Sequence, residues 1–153
     1  MQRLAGSWMG TYEYLEPQVP GSQQVSFTLT LFDGSPWRLT GEVREDPDTG
    51  MEGRGTISGW TWRRRIWFRK TMPSLHVAND PKPIALSNYV QAQYGEDIEV
   101  EPGAHIVSYR GIIAQNEECI SGTWTIPHRR LVLASKRTIV IPFARGTWQM
   151  RRQ

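Results

Sequence analysis

The chain has 153 residues, 39% of them hydrophobic and 22% charged, with seven Trp, five Tyr and four Phe and a formal net charge of +3. That is enough for one sizeable core in one domain, residues 1–153, and it excludes a disordered or low-complexity chain. The apolar runs are too short for a membrane-spanning helix, the lone Cys119 excludes an internal disulfide, and MQRLAGSWMG has no apolar core of a secretory signal, so the expected location is cytoplasmic.

Large and polar residues alternate with period two, interrupted by Gly, Asp and Pro, which predicts short antiparallel strands. In chain order these fall near 6–15, 23–32, 37–45, 53–60, 62–71, 105–114, 118–126 and 145–152. FDGSP, EDPDTG and QNEE stand at hairpin spacing between neighbours. Two segments break the rhythm. Residues 72–103 open with PSLHVANDPKP and continue as IALSNYVQAQYG, where Leu86, Tyr89, Val90, Gln93 and Tyr94 share one helical face and Gly95 suits a C-cap. A short helix over one mouth is expected there, then a loop strand at EDIEVEP. Residues 127–144 hold LVLA and TIVIPF, an additional hairpin.

Strands joined by hairpins, with no helical layer, form a sandwich or a barrel. An unpaired final strand GTWQMRR would be an open template for aggregation, and pairing it with GSWMGTYEY removes both edges. The expected fold is therefore all-β: an antiparallel up-and-down β-barrel of eight to ten strands, with a short helix in the 73–95 insertion.

Gly6-Ser7-Trp8 on the first strand resembles the G-x-W signature of the calycin group, which comprises lipocalins, fatty-acid-binding proteins and avidins. The late ISGTWTI and RGTWQMRR are similar to the strands that close such barrels. The resemblance implies a lipocalin-like barrel floor plugged by Trp8 and covered by an arginine, Arg151 or Arg152, with Trp148 nearby. A lipocalin T-D-Y element is absent, and GTISGWTW is similar to a Trp-bearing avidin strand without the polar set that holds biotin.

Side chains alternate across a barrel wall, so an inward Trp8 carries Tyr12 and Tyr14 inward, and an inward Trp124 carries Ile126. In WTWRRRIWFRK the more apolar parity is Trp62, Arg64, Ile66, Phe68 and Lys70. Its inward placement would put Arg64 inside or at the rim, where it needs a carboxylate from Glu13, from Glu42 or from a ligand. Ligand-binding candidates are accordingly Tyr12, Tyr14, Trp62, Arg64, Phe68 and Trp124. The opposite parity, Arg63, Arg65, Trp67 and Arg69, is expected outside as a protein-contact face. Nucleic acid is not expected, because that strand alone offers one stacking ring.

No catalytic residue is assigned. His76, His105 and His128 lack metal-ligand spacing, His105 reads as a structural histidine, Cys119 beside Glu117 and Glu118 is not read as a nucleophile, and Asp46 and Asp48 read as turn formers. No cofactor and no metal is expected. The leading expectation is a non-catalytic barrel binding a small apolar or amphipathic molecule, acidic if it is the ligand that supplies the partner of Arg64. The alternatives are an interaction or scaffold module using the basic-aromatic outer strand, and a barrel enzyme of isomerase type in which Tyr12 and His105 would have to converge.

Overall fold

From Gln24 to Leu31 every second side chain is buried, and the same two-residue beat runs through Arg38–Glu45, His105–Ile113 and Ala144–Arg152. A strand with one apolar face is stable only when that face meets another, and here the faces meet by closure. The computed structural model describes residues 3–16, 24–51, 53–73, 76–77, 83–99 and 105–153. In chain order its elements are β1 (Gly6–Glu16), β2 (Gln24–Leu31), β3 (Arg38–Glu45), β4 (Arg54–Trp62), β5 (Arg65–Met72), β6 (His76–Val77), β7 (Ile84–Ala85), α1 (Leu86–Tyr94), β8 (His105–Ile113), β9 (Cys119–Ile126), β10 (Arg129–Val132), β11 (Thr138–Ile141) and β12 (Ala144–Arg152).

Eight of these strands form one closed antiparallel barrel in the order β1-β12-β9-β8-β5-β4-β3-β2. The head and tail of the sequence are neighbours: Trp8 lies opposite Arg152 and Tyr12 opposite Trp148. Closure leaves the barrel without an exposed edge. Indole rings lie over glycines in this wall. A Cβ on Gly146 would come within 2.6 Å of the Trp124 ring and closer still to the Glu13 carbonyl oxygen, so only glycine fits there.

The register corrects one expectation. Trp62 pairs with Arg65, so Arg63 and Arg64 are a two-residue turn, not part of a continuous strand. Arg63 has a left-handed φ of 54°. A tight turn exchanges one strand for its neighbour, and the alternation restarts at Arg65. Ile66, Phe68 and Lys70 face inward as expected, whereas Trp62 is 66% exposed and Arg64 is exposed in the turn.

The two irregular segments meet each other at one end of the barrel. α1 ends at Gly95, which adopts a left-handed φ of 69° and donates its N–H to the Gln91 carbonyl. Leu86 and Val90 are buried against Leu131, Leu133 and Ile139 of the β10–β11 hairpin, which gives a second, smaller core. Of the expected helical face, Gln93 and Tyr94 are exposed, because β10–β11 covers only the side that carries Leu86 and Val90. The expected loop strand at EDIEVEP is one bridge between Ile98 and Leu133, with residues 100–102 outside the described residues. No helix among the described residues is long and apolar enough to cross a membrane.

Candidate functional site

Trp8 is fully buried at one end of the barrel, and its Nε1 donates to the Leu4 carbonyl at 2.8 Å. The Arg152 guanidinium lies 4.6 Å from its ring centroid and donates to the carbonyls of Ala5 (3.1 Å) and Arg3 (2.8 Å). A cation over an indole face, held by carbonyls of the preceding segment, seals this end. Of the two arginines considered for the floor, Arg152 occupies it. Arg151 has the opposite parity and points outward beside Met9. Trp148 also stands elsewhere than expected. It is four residues up the strand, packed edge-on against Phe68 (5.4 Å) and Tyr109 (5.6 Å), with Nε1 donating to the carbonyls of Arg110 and Thr123.

Above this level the wall is aromatic. Phe68 and Tyr109 stack with centroids 4.7 Å apart, and Trp124 meets Tyr12 (5.8 Å) and Tyr14 (4.9 Å) edge-on. Among these rings lies a buried ion pair that the sequence reading did not assign. Lys70 Nζ is 2.6 Å from Glu45 Oε2, with the two side chains 4% and 0% exposed. Glu45 Oε1 accepts from the Tyr12 hydroxyl (2.5 Å) and from the Met51 N–H (3.0 Å). The Lys70 ammonium also stands 4.6 Å from the Tyr12 ring centroid and 5.4 Å from that of Tyr109.

The interior cation is thus Lys70 with Glu45, where the sequence had suggested Arg64 with Glu13 or Glu42. Arg64 Nε donates to the Ile113 carbonyl instead, Glu13 accepts from Gln24, and Glu42 pairs with Arg54 on the outer wall. A signal for Glu45 was present in the sequence. It follows Leu39 and Val43 at two-residue steps, an acid at a position whose partners are apolar.

These contacts fix protonation. Burial by itself would lower the Lys70 pKa, but the charge of Glu45, followed by Tyr109, outweighs it and raises the pKa above the usual lysine value. Burial first, and then the Glu45 charge, pushes the Tyr12 and Tyr14 hydroxyls above the ordinary phenol range, and burial raises Tyr109 as well. The group therefore holds an ammonium and neutral phenols through the physiological range.

His105 adds a donor that is unsatisfied among the described residues. It faces Met72 across β5–β8 while Val107 faces Lys70, so His105 and Lys70 are diagonal neighbours on the inner wall. His105 is buried, and its Nδ1 accepts from the His76 N–H at 3.3 Å. Burial, with further contributions from Lys70, Arg129 and His76, lowers its pKa to about 3, so the ring is neutral. An accepting Nδ1 leaves the proton on Nε2. That Nε2 is buried without a hydrogen-bond partner among the described residues. Tyr12 and His105 lie toward the same end of the barrel, with no hydrogen bond joining them among the described residues.

Of the ligand-binding candidates, Tyr12, Tyr14, Phe68 and Trp124 come together on the inner wall, and Trp62 and Arg64 do not. A groove of about 740 Å³ lies against the wall, lined by outward residues such as Met9, Thr11, Ser26, Thr28 and Gln149 and also by Glu45. No group of three His, Cys, Asp or Glu side chains among the described residues could hold a metal ion. The geometry defines a closed eight-stranded antiparallel β-barrel with a Trp–Arg floor and a buried ion pair in an aromatic interior. No family model matches the chain, and no curated protein or solved structure matches it either.

Proposed function

We propose that this is a calycin-like binding barrel whose interior takes a small amphipathic molecule with an anionic or carbonyl end. The Trp8–Arg152 floor and the closing β1–β12 pair support the calycin reading. The observation that carries the binding reading is the buried His105 Nε2–H, without a partner among the described residues and diagonal to the Lys70 ammonium. A buried donor left unpaired is unfavourable by about 1–3 kcal/mol, and a ligand oxygen accepting from it would recover that. Lys70 has three protons; Glu45 Oε2 takes one and the Tyr109 hydroxyl interacts with a second, which leaves one donor for the same oxygen-bearing end. Phe68, Tyr109, Trp124 and Trp148 supply the apolar wall for the remainder of the molecule.

The test is intrinsic Trp fluorescence and calorimetry against a series of fatty acids, the alcohols of the same chain length, and aromatic carboxylates. Acids should bind at least about tenfold more tightly than the matching alcohols, a difference of about 1.4 kcal/mol for one charge-assisted hydrogen bond. His105→Phe should reduce that preference. If no compound in the series binds, and a crystal structure shows an ordered water on Nε2, the reading fails.

A further inference from the structure

The Arg63–Arg64 turn that sends Trp62 outward also assembles a surface on the far side of the wall. With β4 and β5 paired around that turn, their outward residues align: Trp60 lies opposite Trp67, Trp62 opposite Arg65, and Ser58 opposite Arg69. The register continues into both neighbours, so Arg38 of β3 flanks Trp60 and Arg110 of β8 flanks Trp67. Across four strands the row reads arginine, tryptophan, tryptophan, arginine. The two rings are 6.3 Å apart and tilted by 33°. Trp60 is 59% exposed, and Trp62 stands one step along the strand, facing the same way. A groove of about 680 Å³ beside them is lined by Trp62, Arg63, Arg64, Arg65, Trp67 and Ile112. The sequence alone gave this face one ring; the register gives it three.

Around the tryptophans its charge has one sign; Glu42, farther along β3, is paired with Arg54. Among the described residues, Arg38, Arg63, Arg64, Arg65, Arg69 and Arg110 have no carboxylate within ion-pair distance. Arg63 moreover holds a left-handed backbone position where glycine is the least strained residue. An arginine there is unfavourable for the turn itself, so its side chain is the property that distinguishes it from glycine.

We propose that this outer face of β3–β4–β5–β8 binds single-stranded nucleic acid, with bases stacked on Trp60, Trp62 and Trp67 and phosphates held by the surrounding arginines. Stacking platforms bordered by cations fit a chain that alternates flat bases with anions. Guanidinium groups meet phosphate oxygens in a two-pronged fashion and also stack on rings. A duplex keeps its bases stacked inside and offers these rings nothing. A membrane surface would engage the turn end, where Trp62 and Ile112 are exposed, and leave unused the row of Trp60 and Trp67, which lies along the wall with an arginine at either end.

The experiment is fluorescence anisotropy of a labelled oligothymidylate of about 15 nucleotides, enough to span such a face, with a duplex of the same length and phosphatidylserine-containing vesicles as comparisons. The expected result is preferential binding of the single strand, quenching of Trp emission, and an affinity that falls linearly on a log–log plot between about 50 and 200 mM salt. Trp60→Ala and Trp67→Ala should each weaken binding by roughly 5- to 150-fold. Arg63→Gly provides the control for folding: it should raise or preserve the melting temperature while weakening binding and flattening the salt slope. Equal affinity for single strand and duplex, with the tryptophan variants unchanged, would show polyanion attraction alone and overturn the proposal. So would binding to vesicles with none to the oligonucleotide, or an Arg63→Gly protein with unaltered affinity.

Discussion

Replacing Lys70 with methionine keeps an unbranched side chain one atom shorter and deletes its charge. The consequence follows from the position of Glu45: with its side chain 0% exposed and Lys70 Nζ at 2.6 Å, the carboxylate would stay buried without a counter-ion. Breaking a buried pair on one side destabilises by about 3–5 kcal/mol, because the remaining charge keeps its desolvation penalty. Against a typical domain stability of about 5–15 kcal/mol, Lys70→Met should leave the barrel marginal. Glu45→Gln should lose a comparable amount by stranding the ammonium. The double variant Lys70→Met/Glu45→Gln removes both charges, and the glutamine oxygen can still accept from Tyr12 and from the Met51 N–H. One side of its amide remains unpaired, so the double variant should lose only about 1–3 kcal/mol. Urea unfolding of the four proteins, followed by Trp emission, measures each value and the coupling between the two sites. A Lys70→Met protein within about 1 kcal/mol of the parent, or a double variant less stable than both singles, would refute the reasoning.

His105 should make the barrel acid-labile. Its folded pKa of about 3 lies below that of the unfolded chain, near 6.5, so between those values the unfolded state binds the extra proton and stability falls with pH; the loss approaches roughly 4 kcal/mol near pH 3. His105→Gln should flatten the melting temperature against pH over that window in calorimetry, and parallel profiles for the two proteins would refute the assignment. Gly146→Ala should destabilise by roughly 1–3 kcal/mol or more in urea unfolding, since its methyl would overlap the Trp124 ring and the Glu13 carbonyl. A variant as stable as the parent would mean that the indole and β1 can move aside.

The parts of the fold legible in the sequence were those fixed by local alternation. Trp8, Tyr12 and Tyr14, or Trp124 and Ile126, each keep their parity along an unbroken strand, and the need to pair both terminal strands implied closure. The turn at Arg63–Arg64 was hidden because neither residue is a usual hairpin former. Two-residue turns favour Gly, Asn and Asp, and WTWRRRIWFRK contains none of them. The strand was therefore read as continuous, and Trp62 and Arg64 were carried inward with Ile66. The Lys70–Glu45 pair was hidden for a different reason. The two residues come from β5 and β3, which flank β4, and pattern analysis along one strand carries no information about which charge lies across the barrel.

A single backbone feature thus decides the chemistry of both faces of this wall. Had the segment been one strand, Arg64 and Lys70 would share the interior with Glu45, and two cations would compete for one buried carboxylate. Ending β4 at Trp62 and restarting at Arg65 removes one of those cations and leaves a balanced pair inside. The same step transfers Trp62 to the outer surface beside Trp60 and Trp67. The arginines of the turn, unfavourable in an apolar interior, are solvated there and free to meet anions. Inserting one residue into the turn would tilt or shift this register, and a one-residue slip exchanges the two faces of a strand. The interior ion pair and the outer aromatic row therefore depend on the same hydrogen-bonded register of β4 with β5.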